Sequence, residues 1–131
     1  MKTNSFYKIA LLLLSLALIL PGTALAGKMT IEGKINGANC VIDKKVCPMT
    51  PEDPHLALQA DFVLSDAGGK YYFLPNLSRS QKSGLVNKDV RITGDLQGIS
   101  LVASVIEERT SGNYQEVWNW EKISRSLSRG N

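Results

Sequence analysis

The chain has 131 residues, of which 44% are hydrophobic and 21% are charged, with a formal net charge of +3. Fifteen Lys and Arg stand against twelve Asp and Glu, and without Lys2 and Lys8 the balance falls to 13 against 12. A nearly neutral chain of this size excludes a broad basic surface for a long polyanion and suits one domain with one hydrophobic core.

The first segment, residues 1–26, has the layout of a secretory signal peptide. Lys2 and Lys8 make a positive start, "IALLLLSLALIL" is an apolar run of 12 residues, and "ALA" before Gly27 supplies small residues for cleavage. Because this run is shorter than the ~20 residues that span a bilayer, cleavage is favoured over a permanent anchor. We predict a periplasmic or secreted bacterial protein with no stable membrane insertion after cleavage.

The next part of the chain alternates apolar and polar residues with a period of two, as half-buried strands do. "KMTIEGKIN" is the first predicted strand, and "LALQADFVLSD" is the second, with Leu56, Leu58, Phe62 and Leu64 on one face. "DAGG" predicts a tight hairpin, because its glycines supply the positive φ that such turns need. "KYYFLP" is the returning strand, which Pro75 ends.

The remaining elements continue the strand pattern after a polar connection at residues 76–88, which is predicted as a loop with a short helix. "DVRITGDLQG", "ISLVASVIEE" and "YQEVWNW" are three further predicted strands. In "ISLVASVIEE" the inward face is predicted to hold Ile99, Leu101, Ala103 and Val105. Residues 123–131 are predicted as a C-terminal tail that either frays or is helical, because Ile123 and Leu127 stand at helical spacing.

Five or six short strands within about 100 residues predict an all-β fold, namely a small five- to six-stranded antiparallel barrel at residues 27–122. Its first strand is followed by an insertion that a disulfide ties together. Gly33 and Gly94 fall at inward positions of their strands, where glycine permits the sharp coiling that a small barrel needs. A β-sandwich is the alternative architecture.

The order of these motifs resembles that of the bacterial periplasmic OB-fold proteins. "MTIEGKI", "FVLSDAGGKYYFLP", "DVRITGDL" and "ISLVASVIE" are similar to the strand before a glycine, the hairpin of type F-x-L-x-D-x-x-G and the strands that follow it in that family. The resemblance covers residues 29–107 and implies that the barrel is OB-like and that the domain is periplasmic, with a role in stress tolerance or binding. It implies no shared catalytic residue.

The stretch "NCVIDKKVCPMTPEDPH" contains both cysteines and the only histidine. In an exported chain an even number of cysteines predicts a disulfide, here between Cys40 and Cys47. The alternative is a metal-handling protein in which Cys40, Cys47 and His55 bind zinc together with a nearby carboxylate. Oxidation of the cysteines would remove the thiolates that a metal needs, so we expect neither a metal nor a cofactor.

No motif in the chain predicts catalysis, because there is one histidine and no G-x-S-x-G around a serine. We therefore expect a binding or interaction protein without enzymatic activity. Its predicted ligand surface combines a basic loop with two aromatic residues on one strand face: Arg79, Lys82, Lys88, Trp118 and Trp120. The expected partner is a protein, a sugar or a small molecule, not nucleic acid.

Overall fold

The structure is a computed structural model that describes residues 27–130, so the predicted signal peptide lies outside the described residues. The strands of this part are β1 (Lys28–Gly37), β2 (Phe62–Ser65), β3 (Tyr71–Phe73), β4 (Asp89–Gln97), β5 (Ser100–Thr110) and β6 (Asn113–Asn119). The helices are α1 (Ala38–Asp43), a 3₁₀ helix (Pro54–Leu58), α2 (Arg79–Ser83) and α3 (Trp120–Arg129).

The six strands form one sheet in the order β3-β2-β1-β4-β5-β6, and all of these neighbours are antiparallel. A further parallel pair joins Phe73 of β3 to Ser100 of β5. The prediction of a mostly antiparallel β fold with five to six strands is confirmed.

The hydrophobic core lies on one face of this sheet and beneath the segment that connects β3 to β4. Its largest buried side chains include Phe62, Ile35, Leu64, Leu74, Ile92 and Leu101. Two glycines permit close strand contacts beside it. A Cβ atom at Gly33 would stand 2.1 Å from the Ser65 carbonyl oxygen, and one at Gly94 would stand 2.2 Å from that of Val102. Both positions therefore exclude any side chain unless the backbone moves.

The second predicted strand is wrong in its first half. Pro54–Leu58 forms the 3₁₀ helix, and β2 begins only at Phe62. Pro54 fixes φ at the start of the helix, while the Asp53 carboxylate accepts a hydrogen bond from the His55 N–H at 2.9 Å. These local interactions override the alternating pattern.

Of the four residues predicted for the inward face of the fifth strand, only Leu101 and Ala103 are buried. Thr93 pairs with Val105 and Gly94 with Ala103, so Ser104 is an extra residue in β5. Such a bulge reverses the alternation, because side chains change face at every residue. Ile106 is therefore buried in place of Val105. Ile99 precedes β5 in a turn and is exposed.

The C-terminal tail is helical as far as Arg129, in line with the helical spacing of Ile123 and Leu127. β6 ends at Asn119, whose side chain caps α3 by accepting a hydrogen bond from the Lys122 N–H at 3.2 Å. The predicted boundary between residues 122 and 123 consequently falls inside α3. None of the helices within residues 27–130 is long and apolar enough to cross a membrane.

Candidate functional site

Two of the predicted ligand-binding residues, Lys88 and Trp118, line the same groove. It lies between α2 and the β5–β6 pair, has a volume of about 360 Å³, and is called the α2–β6 groove below. Its main lining residues are Gln81, Leu85, Lys88, Ile106, Glu108, Val117 and Trp118.

A capping box holds the first turn of α2 in place beside the groove. The Ser78 hydroxyl accepts a hydrogen bond from the Gln81 N–H at 3.3 Å, and the Gln81 side-chain oxygen accepts one from the Ser78 N–H at 2.7 Å. This reciprocal pair satisfies two of the donors that a helix start leaves free. The wall formed by α2 is therefore fixed by local sequence.

The floor of the groove continues into the hydrophobic core. Ile106 is buried, and Trp118 pairs with it across β5 and β6 while packing against the core. A register shift next to this pair makes Val117 an extra residue in β6 and leaves its side chain exposed. The groove thus offers an apolar surface to a ligand.

Within residues 27–130, Trp118 also has an unpaired hydrogen-bond donor. Its indole Nε1 is buried and has no hydrogen-bond acceptor among the described residues. Leaving a buried donor unpaired costs about 1–3 kcal/mol. Trp118 also stacks on Trp120, with ring centroids 6.3 Å apart and planes at 25°. Trp120 is half exposed but does not line the groove. The prediction that both tryptophans share a strand face is wrong for Trp120, because β6 ends at Asn119 and Trp120 is the first residue of α3.

The rim of the groove carries an ion pair. Lys88 Nζ donates to Glu108 Oε2 at 3.0 Å, and both side chains are partly exposed. Glu107 lies on the other face of β5, where it accepts hydrogen bonds from Arg91 at 2.8 and 2.9 Å. The Arg91 guanidinium lowers the pKa of the Glu107 carboxyl. Of the two neighbouring glutamates, only Glu108 faces the groove.

Arg79 and Lys82, the other two predicted basic residues, lie elsewhere. Arg79 Nη2 donates to the Leu56 carbonyl oxygen at 2.8 Å, and its guanidinium stands over the Phe62 ring at 4.9 Å. Lys82 is only 5% exposed and pairs with Asp61. We therefore remove both from the ligand surface, because their side chains attach the segment before β2 to α2.

The predicted disulfide is confirmed, with Cys40 and Cys47 joined and their Cα atoms 4.9 Å apart. Because both sulfur atoms are in the bond, neither is a thiolate ligand in this state. His55 Nδ1 instead lies 2.8 Å from Asp53 Oδ1. Within residues 27–130, no three His, Cys, Asp or Glu side chains are grouped to hold a metal ion.

The groove includes residues that the sequence did not single out, namely Leu85, Glu108 and Val117. The Ser78-x-x-Gln81 pattern of the capping box could have indicated the helix beside them from the sequence. The Lys88–Glu108 pair could not be found in that way, because Glu108 lies 20 residues further along the chain and only the pairing of β4 with β5 brings the two together. In comparisons with known proteins, no family model, no curated protein and no solved structure matched this chain.

Proposed function

We propose that this chain is an exported bacterial binding protein without catalytic activity, built on a closed OB-type barrel, and that it holds a sugar ring or a small molecule in the α2–β6 groove. A protein partner that inserts one side chain there is the other form of the same proposal. The observation that carries it is the meeting of Trp118, an apolar floor and the Lys88–Glu108 pair in one groove.

The strand pairings support the barrel. Following hydrogen-bonded neighbours from β1 leads through β2, β3, β5 and β4 back to β1, because Phe73 pairs with Ser100. The helix α2 lies between β3 and β4 in the chain. Gly33 and Gly94 allow the strands to approach at sharp bends, as a small closed sheet requires.

The proposal of export rests on the pattern of residues 1–26 and is compatible with the disulfide. A Cys40–Cys47 bond persists in an oxidising compartment, whereas the cytosol keeps most thiols reduced. N-terminal sequencing of protein recovered from the periplasm tests it, with Gly27 as the expected first residue. A chain that still begins at Met1 in the membrane fraction contradicts it.

The size and lining of the groove favour a ligand with a flat or ring-shaped apolar face. A volume of about 360 Å³ lies at the small end of ligand sites, which are mostly apolar with a few polar groups. Sugar rings and aromatic groups stack on tryptophan, and the Lys88 and Glu108 head groups can hydrogen-bond a hydroxyl or amide at the rim.

Tryptophan fluorescence is a direct assay of this groove, because Trp118 and Trp120 are the chain's two tryptophans. A panel of soluble oligosaccharides and aromatic amides is titrated into the protein. We expect a saturable change with at least one class, and a loss of affinity of about tenfold in Val117→Asp, which places a charge on the apolar wall.

The matched control is Val46→Asp, since Val46 is an exposed valine outside the groove. Both variants keep the wild-type thermal midpoint if their side chains are as exposed as the structure indicates. Equal affinity in Val117→Asp and wild type contradicts the groove as the binding site. Equal losses in both variants contradict it as well.

A further inference from the structure

A second apolar cavity, the Ile99 pocket, lies where the β2–β3 and β4–β5 turns meet the start of β1. It has a volume of about 510 Å³, and its lining residues include Met29, Lys70, Tyr71, Tyr72, Leu96 and Ile99. None of these residues belongs to the α2–β6 groove. The pocket is therefore a separate site.

The apolar lining continues the core face of the sheet. Met29 lies two residues before buried Ile31, and Leu96 lies two residues after buried Gly94, so both point to the core side of their strands. Tyr72 packs against the core as well. At this end, however, no helix of residues 27–130 contributes to the lining, and Met29 and Ile99 are 48% and 53% exposed. Exposed apolar side chains that meet in one cavity, rather than lying singly on the surface, form a candidate ligand surface.

One charged side chain, that of Lys70, is part of the pocket lining. Its ammonium group makes no ion pair within residues 27–130. The Asp66 carboxylate beside the pocket is negatively charged, but its oxygens accept hydrogen bonds from the Gly68 and Lys70 N–H groups at 2.9 Å and from the Tyr72 hydroxyl at 3.2 Å, and it makes no ion pair with Lys70 within residues 27–130.

We infer that the Ile99 pocket binds a free monomeric amphiphile that has an apolar chain and an anionic head group, of the fatty-acid type. The apolar chain covers Met29, Leu96 and Ile99, and the carboxylate lies next to the Lys70 ammonium. Apolar burial supplies most of the affinity, and the charge selects an anionic over a neutral or cationic head.

Titration calorimetry with dodecanoate, below its critical micelle concentration, tests the inference. We expect saturable binding to the mature protein, with affinity reduced about tenfold or more in Ile99→Asp. Lys70→Glu weakens dodecanoate by about threefold to tenfold and leaves dodecanol unchanged, because an exposed charge contributes modestly. In NMR spectra of the wild type, the methyl signal of Met29 shifts with dodecanoate.

The control is Ile42→Asp, because Ile42 is an exposed isoleucine in α1, outside this pocket. The inference is overturned if dodecanoate does not bind below its micelle concentration, or if Ile99→Asp binds it as well as wild type. It is also overturned if Ile42→Asp loses as much affinity as Ile99→Asp. The tryptophan assay of the α2–β6 groove is independent, so each site can fail without the other.

Discussion

The sheet and the segment inserted between β1 and β2 (residues 38–61, the insertion) are stabilised by different interactions. The sheet encloses a continuous apolar core, to which Ile35, Phe62 and Ile92 contribute fully buried side chains. In the insertion only four residues are buried: Ala38, Cys40, Pro48 and Gln59. The insertion therefore cannot bury enough apolar area to offset the conformational entropy that its ordering removes.

Covalent and polar links hold the insertion instead. The Cys40–Cys47 disulfide closes its first half, and Gln59 accepts a hydrogen bond from the Cys40 N–H at 3.3 Å. Lys82 and Arg79 of α2 attach its second half through Asp61 and the Leu56 carbonyl oxygen. The comparison shows that packing organises the sheet, while individual bonds organise the insertion, so single substitutions should act differently in the two regions.

The largest expected effect belongs to the sheet. Gly94→Ala would bring a Cβ to 2.2 Å from the Val102 carbonyl oxygen, which is backbone and can move only if β4 and β5 separate. We expect a loss of about 3 kcal/mol in the free energy of unfolding, at the upper end of overpacking effects. Urea unfolding of the purified domain measures it.

Gly68→Ala is the matched control, because its Cβ would meet only the Asp66 side-chain oxygen, at 3.3 Å. We expect it to change the unfolding midpoint little. If the two alanine variants unfold at the same urea concentration, the strands do not approach at Gly94 as closely as described.

The sheet depends on packing and the insertion on individual bonds, and this difference explains how well the sequence predicts each region. An alternating pattern depends on burial, so it located the strands around Ile31, Phe62 and Ile92. It could not locate the extra residues at Ser104 and Val117, because a bulge is defined by the partner strand. As a consequence, Ile106 is buried, whereas Val105, which was predicted to face inward, is only partly buried.

In the insertion and the groove, chemical rules predicted more than periodicity did. The prediction of export, together with the even cysteine count, correctly predicted the Cys40–Cys47 bond. The apolar spacing of Leu56 and Leu58 gave a false strand, because Pro54 and Asp53 start a 3₁₀ helix there. Lys82 was misjudged as a surface charge, since its partner Asp61 is distant in sequence and only the fold brings the two together.

Removal of the disulfide should have the next largest effect on stability, and its local consequences should be greatest within the insertion. Replacing both cysteines, in Cys40→Ala/Cys47→Ala, opens the loop they close and should lower the free energy of unfolding by about 2–3 kcal/mol. Amide hydrogen exchange should quicken between residues 38 and 61. The amide of Ile92, in the core of the sheet, should keep its protection relative to global unfolding. If exchange at Ile92 quickens as much as exchange within the insertion, the insertion and the sheet unfold as one cooperative unit.

A smaller effect should follow when the Lys82–Asp61 pair is broken. Lys82→Met keeps the apolar stem but leaves Asp61 without its cation. Because the Asp61 side chain is 38% exposed and water can replace part of the interaction, we expect a loss of about 1–2 kcal/mol. Lys88→Met removes the partner of Glu108 at the exposed rim and should cost less than about 1 kcal/mol.

A double-mutant cycle with Asp61→Asn shows whether the effect of Lys82 comes from the ion pair. The double variant Lys82→Met/Asp61→Asn should lose less stability than the sum of the two single variants, because each single variant leaves one charge unpaired. Strict additivity would mean that Lys82 stabilises the domain through its apolar stem alone.

The smallest expected effect is a local response of the insertion to acid. Hydrogen bonds from the His55 N–H, then from the Met49 N–H and the His55 ring, lower the pKa of Asp53 from 3.8 to about 2. Since the pKa is lower in the folded state, the ionised carboxylate stabilises the turn above pH 3.8, and this contribution disappears as the pH falls towards about 2. NMR titration should show the His55 and Met49 amide signals moving together in that range. Asp53→Asn keeps an oxygen acceptor without the titrating group and should abolish this movement, whereas Glu52→Gln, at the neighbouring exposed acid, should preserve it. If the Ile92 amide moves at the same pH and by the same fraction, the acid response is that of the whole domain, and the insertion is not held separately from the sheet.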